Sequence, residues 1–343
     1  EDRTVIAKDC FQDCNLVHHL FKKNDIWTGM VEQSKICSVP IDYIIMRGQG
    51  IKLLSFIAKK CREKNTLMPV LQKAENDGSY EGAICLKPRR GFYNDENPVA
   101  VVDYAALYPS SMISENISHD SKVWTKEYDL QGRLIKETGS DEYDNLPDYK
   151  YVDITYDTYE WKRESEKKKE VKMKVGYKIC RFAQFQEGRK AILPEILTDL
   201  LAARKATRKK AKYKTVKTIN SHNDHYATYI GLLKKTDTHH IITTEKHGDI
   251  EVENDDVLSV EDTYDDYMKN VFNQRQLGIK VTANSMYGQT GARTSAFYEK
   301  DIAASTTATG RKLLIYGKKI IMGVYGNRIC ETKHGKVRTR ADV

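Results

Sequence analysis

The sequence predicts an α+β fold, and three features predict it. The run Pro98-Val99-Ala100-Val101-Val102-Asp103 is continuously apolar, rich in β-branched residues and opened by a proline, as a strand buried on both faces reads. Residues 241 to 253 read as a β-hairpin, with Lys246-His247-Gly248 as the turn between two β-prone runs. Apolar residues at 193, 196, 197, 200 and 201, with Pro194 in the first turn, mark a helix, and a second long helix is expected from Tyr264 to about Tyr287.

The chain has 343 residues, of which 40% are apolar and 30% charged, the balance of a folded chain of about two domains. The longest uninterrupted apolar runs, such as Val99 to Val102, fall far short of the roughly 20 residues that cross a bilayer. No membrane partner is expected. The seven cysteines are odd in number and never spaced CxxC, which disfavours a disulfide framework or zinc ribbon and points to a reducing compartment. The net charge of +8 suggests a polyanionic partner. From Leu200 to Lys217 eight basic residues stand without an acid, and from Glu245 to Asp266 ten acids face one lysine, so surfaces separated by sign are expected. The chain starts at Glu1 and stops at Val343 inside a run, and reads as an internal piece of something longer.

Along the chain, residues 40 to 68 carry an amphipathic helical pattern with Leu53, Leu54, Ile57, Ala58 and Cys61 on the apolar face. Residues 82 to 87 read as a short strand; residues 121 to 180 alternate Lys and Glu with Tyr and Thr, and the run Lys162 to Lys174 has the composition of a solvated insertion. In the helix entered at Pro194, Arg204 and Arg208 continue the face of Leu197. Ser259-Val260-Glu261-Asp262 resembles a capping box for the second helix, on which Lys280, Asn284 and Tyr287 share one face. Cys10, Cys14 and His18 have helical spacing, and the two cysteines read as small buried hydrophobes rather than metal ligands.

Three constellations thus follow in order: a strand ending in Asp103 before Tyr104-Ala105-Ala106-Leu107-Tyr108-Pro109-Ser110; a helix with Arg204 and Arg208; and a helix reading Lys280-Val281-Thr282-Ala283-Asn284-Ser285-Met286-Tyr287-Gly288. DYAALYPS resembles the DxxxLYPS motif of family B DNA polymerases, KVTANSMYG their KxxxNSxYG motif, and LLAARKATRKK their first fingers helix. GAICLKPRRGFY, VVDYAALYPSSMISENISHD and ASTTATGRKLL look like the enzymes of nucleocytoplasmic giant viruses of the mimivirus kind. The resemblance covers essentially the whole chain.

It implies a right-hand polymerase: an antiparallel palm sheet with helices, and inserted two-helix fingers. By that resemblance 1–25 ends a 3′–5′ exonuclease domain, 26–190 is the first part of the palm with the insertion at 121–180, 191–288 the fingers with an inserted tip, and 289–343 the second part of the palm. Asp103 would be the catalytic and metal-bridging carboxylate and the Tyr104 carbonyl a ligand of the nucleotide-side ion, with two Mg²⁺ ions in the complete enzyme. The N–H groups of Ala105, Ala106 and Leu107 would cradle the triphosphate, and Tyr108 would lie under the deoxyribose. Arg204, Arg208 and Lys280 would grip the triphosphate with support from Asn284. Tyr287 and Gly288 would pack against the nascent base pair, although simple packing accounts for Tyr287 nearly as well. Tyr80 and Gly82, in Tyr80-Glu81-Gly82-Ala83, resemble a template contact; a turn before a strand would look the same.

Two departures limit the resemblance. Asp13 matches the last exonuclease carboxylate, but Asp9 stands where the family has tyrosine, so no nuclease activity is assigned. The second acidic motif is missing, since Tyr325-Gly326-Asn327 lacks the acid and Asp342 has no such context; the thumb is missing too. The chain alone is therefore expected to bind nucleotide and DNA and to extend no primer. The implied partners are primer–template DNA, deoxynucleoside triphosphates and, where the machinery uses one, a sliding clamp, at an intracellular viral replication site in cytoplasm or nucleus. The rivals are a palm polymerase copying RNA, against which Tyr108 argues, and a non-catalytic nucleic-acid-binding fragment.

Overall fold

The computed structural model describes residues 2–68, 80–87, 90–92, 99–163, 169–220, 225–332 and 335–339. Pro98, Asp342 and the centre of the Lys162–Lys174 run lie outside them. In chain order the elements are helices α1 (Asp2–Lys23), α2 (Ile26–Cys37), α3 (Ile41–Met46), α4 (Gln49–Glu63) and α5 (Leu107–Ser114), then strands β1 (Lys122–Asp129), β2 (Leu134–Gly139), β3 (Lys150–Lys162) and β4 (Val171–Gln184). Helix α6 (Ile192–Lys210) precedes β5 (Lys214–Asn220), β6 (His225–Lys235), β7 (His239–Thr244), β8 (Gly248–Glu253) and β9 (Val257–Asp262). Helices α7 (Asp266–Gly291) and α8 (Lys300–Tyr325) and the strands β10 (Ile329–Thr332) and β11 (Gly335–Arg338) complete the chain. The fold is α+β, and all its strand pairings are antiparallel. No described helix is long and apolar enough to cross a membrane.

The chain divides into two compact units, Glu1–Thr66 with Asp199–Ser285, and Leu67–Thr198 with Met286–Val343. In the first, α4 buries Leu53, Phe56, Ile57 and Cys61; Ala58, expected on that face, is exposed. Helix α2 packs on α7 through a polar seam. The buried Glu32 accepts from Arg275 Nε at 2.6 Å and from Lys35 at 3.2 Å, and Cys37 lies 3.8 Å from the Thr282 hydroxyl. Burial opposes the charge on Glu32, but the Arg275 and Lys35 hydrogen bonds outweigh it and hold the carboxyl below its ordinary value. The five-stranded sheet runs β8-β7-β6-β5-β9, and β7 with β8 is the hairpin expected at 241–253. Its turn ends at Gly248, whose φ of +70° suits glycine.

The second unit centres on a four-stranded sheet in the order β2-β1-β4-β3, against which α8 packs. Residues 121 to 180 supply most of this sheet, and the described residues of the Lys162–Lys174 run are exposed. Ile154, Tyr156, Cys180 and Phe182 turn one face inward, while charged residues on the other face pair across strands, as Lys126 does with Glu137 at 2.8 Å. Helix α8 is buried all round from Asp301 to Thr307. The left-handed Asn116 (φ 54°) is fully buried between α5 and β1. It donates to the Ala183 carbonyl at 2.9 Å and accepts from the Ala191 N–H at 2.8 Å, tying the end of β4 to the start of α6.

Several expectations are corrected. Among the described residues, 99 to 103 and 82 to 87 form no strand, and Val101 is 89% exposed: β propensity marks a strand only when a partner edge completes its hydrogen bonds. Ser259 to Asp262 lie in β9, and the cap of α7 is Asp265, whose Oδ1 accepts from the Met268 N–H at 2.8 Å. Cys10 and Cys14 are exposed on α1, which has no buried residue. The basic and acidic runs partly neutralise each other, since Lys214 pairs with Asp262 at 2.6 Å and Lys210 with Glu245 at 3.5 Å.

Replacing Asn116 with alanine strands one buried donor and one buried acceptor and puts a Cβ-only residue in a left-handed conformation. A loss of about 3 kcal/mol in unfolding free energy is expected by denaturant titration.

Candidate nucleotide-binding site

Asp103 is exposed and without an ion pair among the described residues. Its neighbour is anchored: the Tyr104 hydroxyl donates to the Leu313 carbonyl of α8 at 2.9 Å. The chain then turns through Ala106 in the left-handed conformation (φ 53°) into α5. The Ser110 N–H returns to the Ala106 carbonyl at 2.9 Å and the Ser110 hydroxyl to the Ala105 carbonyl at 3.2 Å. Leu107 and Tyr108 are the first residues of α5, where helix N–H groups have no intrahelical acceptor and the dipole favours an anion. Pro109 follows at a position that needs no donor.

Tyr108 stacks on Tyr287 with ring centroids 4.4 Å apart and planes inclined by 26°, an offset arrangement favourable for two rings. Burial, the hydrogen bond with Tyr80 and the nearby Tyr108 together push the Tyr287 phenol well above its ordinary value, so it stays protonated. The stack has a floor in α8: a Cβ on Gly310 would stand 3.2 Å from Tyr108 Cε1, and one on Gly317 2.6 Å from the Tyr104 hydroxyl. On the same helix Arg311 donates to the carbonyls of Glu81 and Gly82 at 2.9 and 2.8 Å, and Thr307 donates to the Glu81 carbonyl at 2.9 Å. Tyr80-Glu81-Gly82 is thereby fastened to α8, with Lys172 of β4 holding the Glu81 carboxylate at 3.1 Å. Gly288 is exposed, with nothing within 4 Å of a would-be Cβ.

One group of sequence-selected residues, Asp103 to Tyr108 with Tyr80, Gly82, Tyr287 and Gly288, thus belongs to the second unit. Arg204, Arg208, Lys280 and Asn284 belong to the first. There Arg204 donates from Nε to Gln276 Oε1 of α7 at 3.1 Å, aligning the two long helices, while Arg208, Lys280 and Asn284 are exposed. Among the described residues no group of three or more His, Cys, Asp or Glu is placed to hold a metal. Asp103 and the Tyr104 carbonyl are hard oxygen donors of the kind a divalent cation takes, but they do not complete a coordination sphere. Sequence reasoning missed Gly310, Arg311 and Gly317. The small residues of ASTTATGRKLL were the available signal, because a helix face stripped of side chains admits close neighbours.

Arg311→Ala removes both carbonyl contacts and the guanidinium 3.9 Å from the Glu81 carboxylate. We expect about 1.5–3 kcal/mol of stability to be lost, together with faster proteolysis around Tyr80 to Gly82.

The sequence pattern of DNA polymerase family B matches residues 39–226 and 258–342. Over 348 aligned positions the chain is 51% identical to a DNA polymerase of Phaeocystis pouchetii virus, spanning 99% of this chain and 28% of that one. To a DNA polymerase of Pyramimonas orientalis virus it is 45% identical, spanning 95% and 25%. The chain therefore covers about a quarter of the length of these curated relatives. Among solved structures, the family B DNA polymerase from the hyperthermophilic archaeon Pyrobaculum calidifontis aligns with a TM-score of 0.51 at 18% identity, over 89% of this chain and 28% of that one. That is a likeness of fold.

Proposed function

This chain belongs to DNA polymerase family B, and from that premise we propose that in its full-length protein it carries the nucleotide-selecting part of template-directed DNA synthesis. The primer 3′-hydroxyl attacks the α-phosphate of a deoxynucleoside triphosphate, an ester bond forms, and pyrophosphate leaves. The observation that supports this reading best is the Tyr108–Tyr287 stack, set on Gly310 and five residues beyond an exposed carboxylate.

The roles follow from the chemistry. Tyr108 presents a rigid ring edge where a ribose 2′-hydroxyl would collide. The open N–H groups of Ala105, Ala106 and Leu107 at the head of α5 donate to phosphate oxygens. Arg204, Arg208 and Lys280 add charge that a triphosphate neutralises, with arginine forking onto two oxygens. Asn284 supports the same phosphates. Tyr287 and Gly288 offer a ring and a bare backbone to the nascent base pair, and Tyr80 with Gly82 faces template backbone. Asp103 and the Tyr104 carbonyl would hold divalent cation, for which we propose Mg²⁺. Bound as a pair, such ions activate the attacking hydroxyl and stabilise the leaving oxygen. Because no second carboxylate accompanies Asp103 among the described residues, the remaining ligands would come from elsewhere in the longer protein. The boundaries 1–25, 26–190, 191–288 and 289–343 then divide exonuclease end, palm, fingers and palm. The relatives being viral, the proposed place of action is where viral DNA is copied in the infected cell.

Primer extension by the full-length polymerase tests the reading, and Asp103→Asn should abolish it; extension within tenfold of the parent would overturn the assignment. Tyr108→Ala should admit ribonucleotides while deoxynucleotide addition persists, and an equal loss for both sugars would assign the ring to packing alone. Arg204→Ala or Lys280→Ala should each remove about 2.7–4 kcal/mol of transition-state stabilisation, read from kcat/KM for the nucleotide. Primer–template affinity should change little.

A further inference from the structure

The basic run of α6 splits into two populations. Lys210, Lys214 and Lys217 face the carboxylates of Glu245, Asp262 and Glu261. Lys205, Arg208, Lys209 and Lys212 have no carboxylate partner among the described residues. With Arg204, Leu201 and Leu232 of β6, these four line one groove of about 320 Å³, and no acidic side chain lines it. The negative end of the α6 dipole accounts for cations in its last turn, Arg208 and Lys209. It does not account for Lys205 further up the helix or for Lys212 beyond its end. Five like charges around one groove repel one another, and a polyanion relieves that repulsion.

The β6 side of the groove carries a second signal. Strand β6 pairs in unbroken register with β5 and β7, so Leu232, Ile230, Thr228 and Tyr226 project from one face. Ile230 is 48% exposed and Tyr226 71%. An exposed apolar and aromatic row thus leads away from the cation-lined groove, a pairing of features suited to a single nucleic-acid strand, whose bases stack while its phosphates are neutralised. Residues 227 to 257, most of β6 with β7 and β8, lie outside the segments that match the family.

We propose that α6 and β6 form a binding track for single-stranded DNA, with Lys205, Lys209 and Lys212 on its phosphates and Tyr226 and Ile230 against its bases. That the strand is DNA follows from the proposed polymerase function; the groove and its charge do not depend on it.

The test is fluorescence anisotropy of the full-length polymerase on primer–templates of one duplex length, blunt or with short or long unpaired template, across a salt series. The parent should bind more tightly as the overhang lengthens. The triple variant Lys205→Gln, Lys209→Gln, Lys212→Gln should lose that gain, and its log–log salt slope should fall by about 2, as three phosphate contacts on a single strand imply. Tyr226→Ala should weaken overhang binding about tenfold with little change in salt slope. Blunt-duplex affinity and single-nucleotide addition should hold in both. Competition by a free single-stranded oligonucleotide separates the sources: weak competition identifies the unpaired template, strong competition a separate strand, and either supports the track. Unchanged overhang dependence in both variants overturns the proposal, as does a raised nucleotide KM with overhang binding intact, which would assign the lysines to the triphosphate. Should the parent fail to extend primers, the polymerase reading falls while the binding comparison still decides the track.

Discussion

Close approach to α8 is the constraint on which the second unit depends. Gly310 and Gly317 stand where side chains would strike Tyr108 and Tyr104, and Thr307 and Arg311 hold the carbonyls of Glu81 and Gly82 from the same helix. Atoms from two separate stretches, Glu81–Gly82 and Tyr104–Tyr108, are thereby referenced to one helix. Packed interiors transmit small displacements rather than absorb them. A methyl group added at Gly310 would act on the Tyr108 ring directly, although it touches neither nucleotide nor metal.

The helix is itself fixed at its base by charge. Asp301, in the first turn of α8, is buried yet accepts from the Tyr156 hydroxyl at 2.7 Å and faces Lys122 at 3.7 Å and Lys178 at 4.0 Å. Burial raises its carboxyl, but Lys122, Lys178 and Tyr156 more than offset that and hold it below the ordinary value. Burial likewise opposes the charge on Lys122, and Glu299 with Asp301 restores it. A carboxyl depressed in the folded state contributes its stability above the unfolded-state pKa and loses it as pH falls through the folded value. Acid therefore loosens α8 where it meets the sheet, and removing one partner leaves the others buried without compensation.

What the sequence disclosed was local. Leu193, Ile196, Leu197 and Leu200 repeat at helical spacing and are buried in α6, and the β7–β8 hairpin lies where its turn residues indicated. Tyr108 and Tyr287, chosen from separate motifs, are in contact. Nonlocal pairing was illegible. The four-stranded sheet alternates charged and half-buried residues in a pattern that a solvated segment shares, until β1 and β4 are seen to bring Thr125 opposite Cys180. Conversely, the strongest local strand signal, Val99 to Val102, pairs with no strand among the described residues. Gly310 offered only small size, and its meaning comes from Tyr108, two hundred positions away.

The five-stranded sheet separates into a paired ribbon and a meander built on its edge. Strands β5 and β9 hydrogen-bond directly, with Val216 opposite Val260, and they belong to the stretches that match the family. Strands β6, β7 and β8 extend from the free edge of β5 in sequence order. Such an arrangement grows by accretion: a meander can be spliced into the connection between two paired strands while the ribbon beneath keeps its register and α6 and α7 keep their ends. The same geometry makes the meander mechanically separable: its length can change without moving the ends of the helices that carry it.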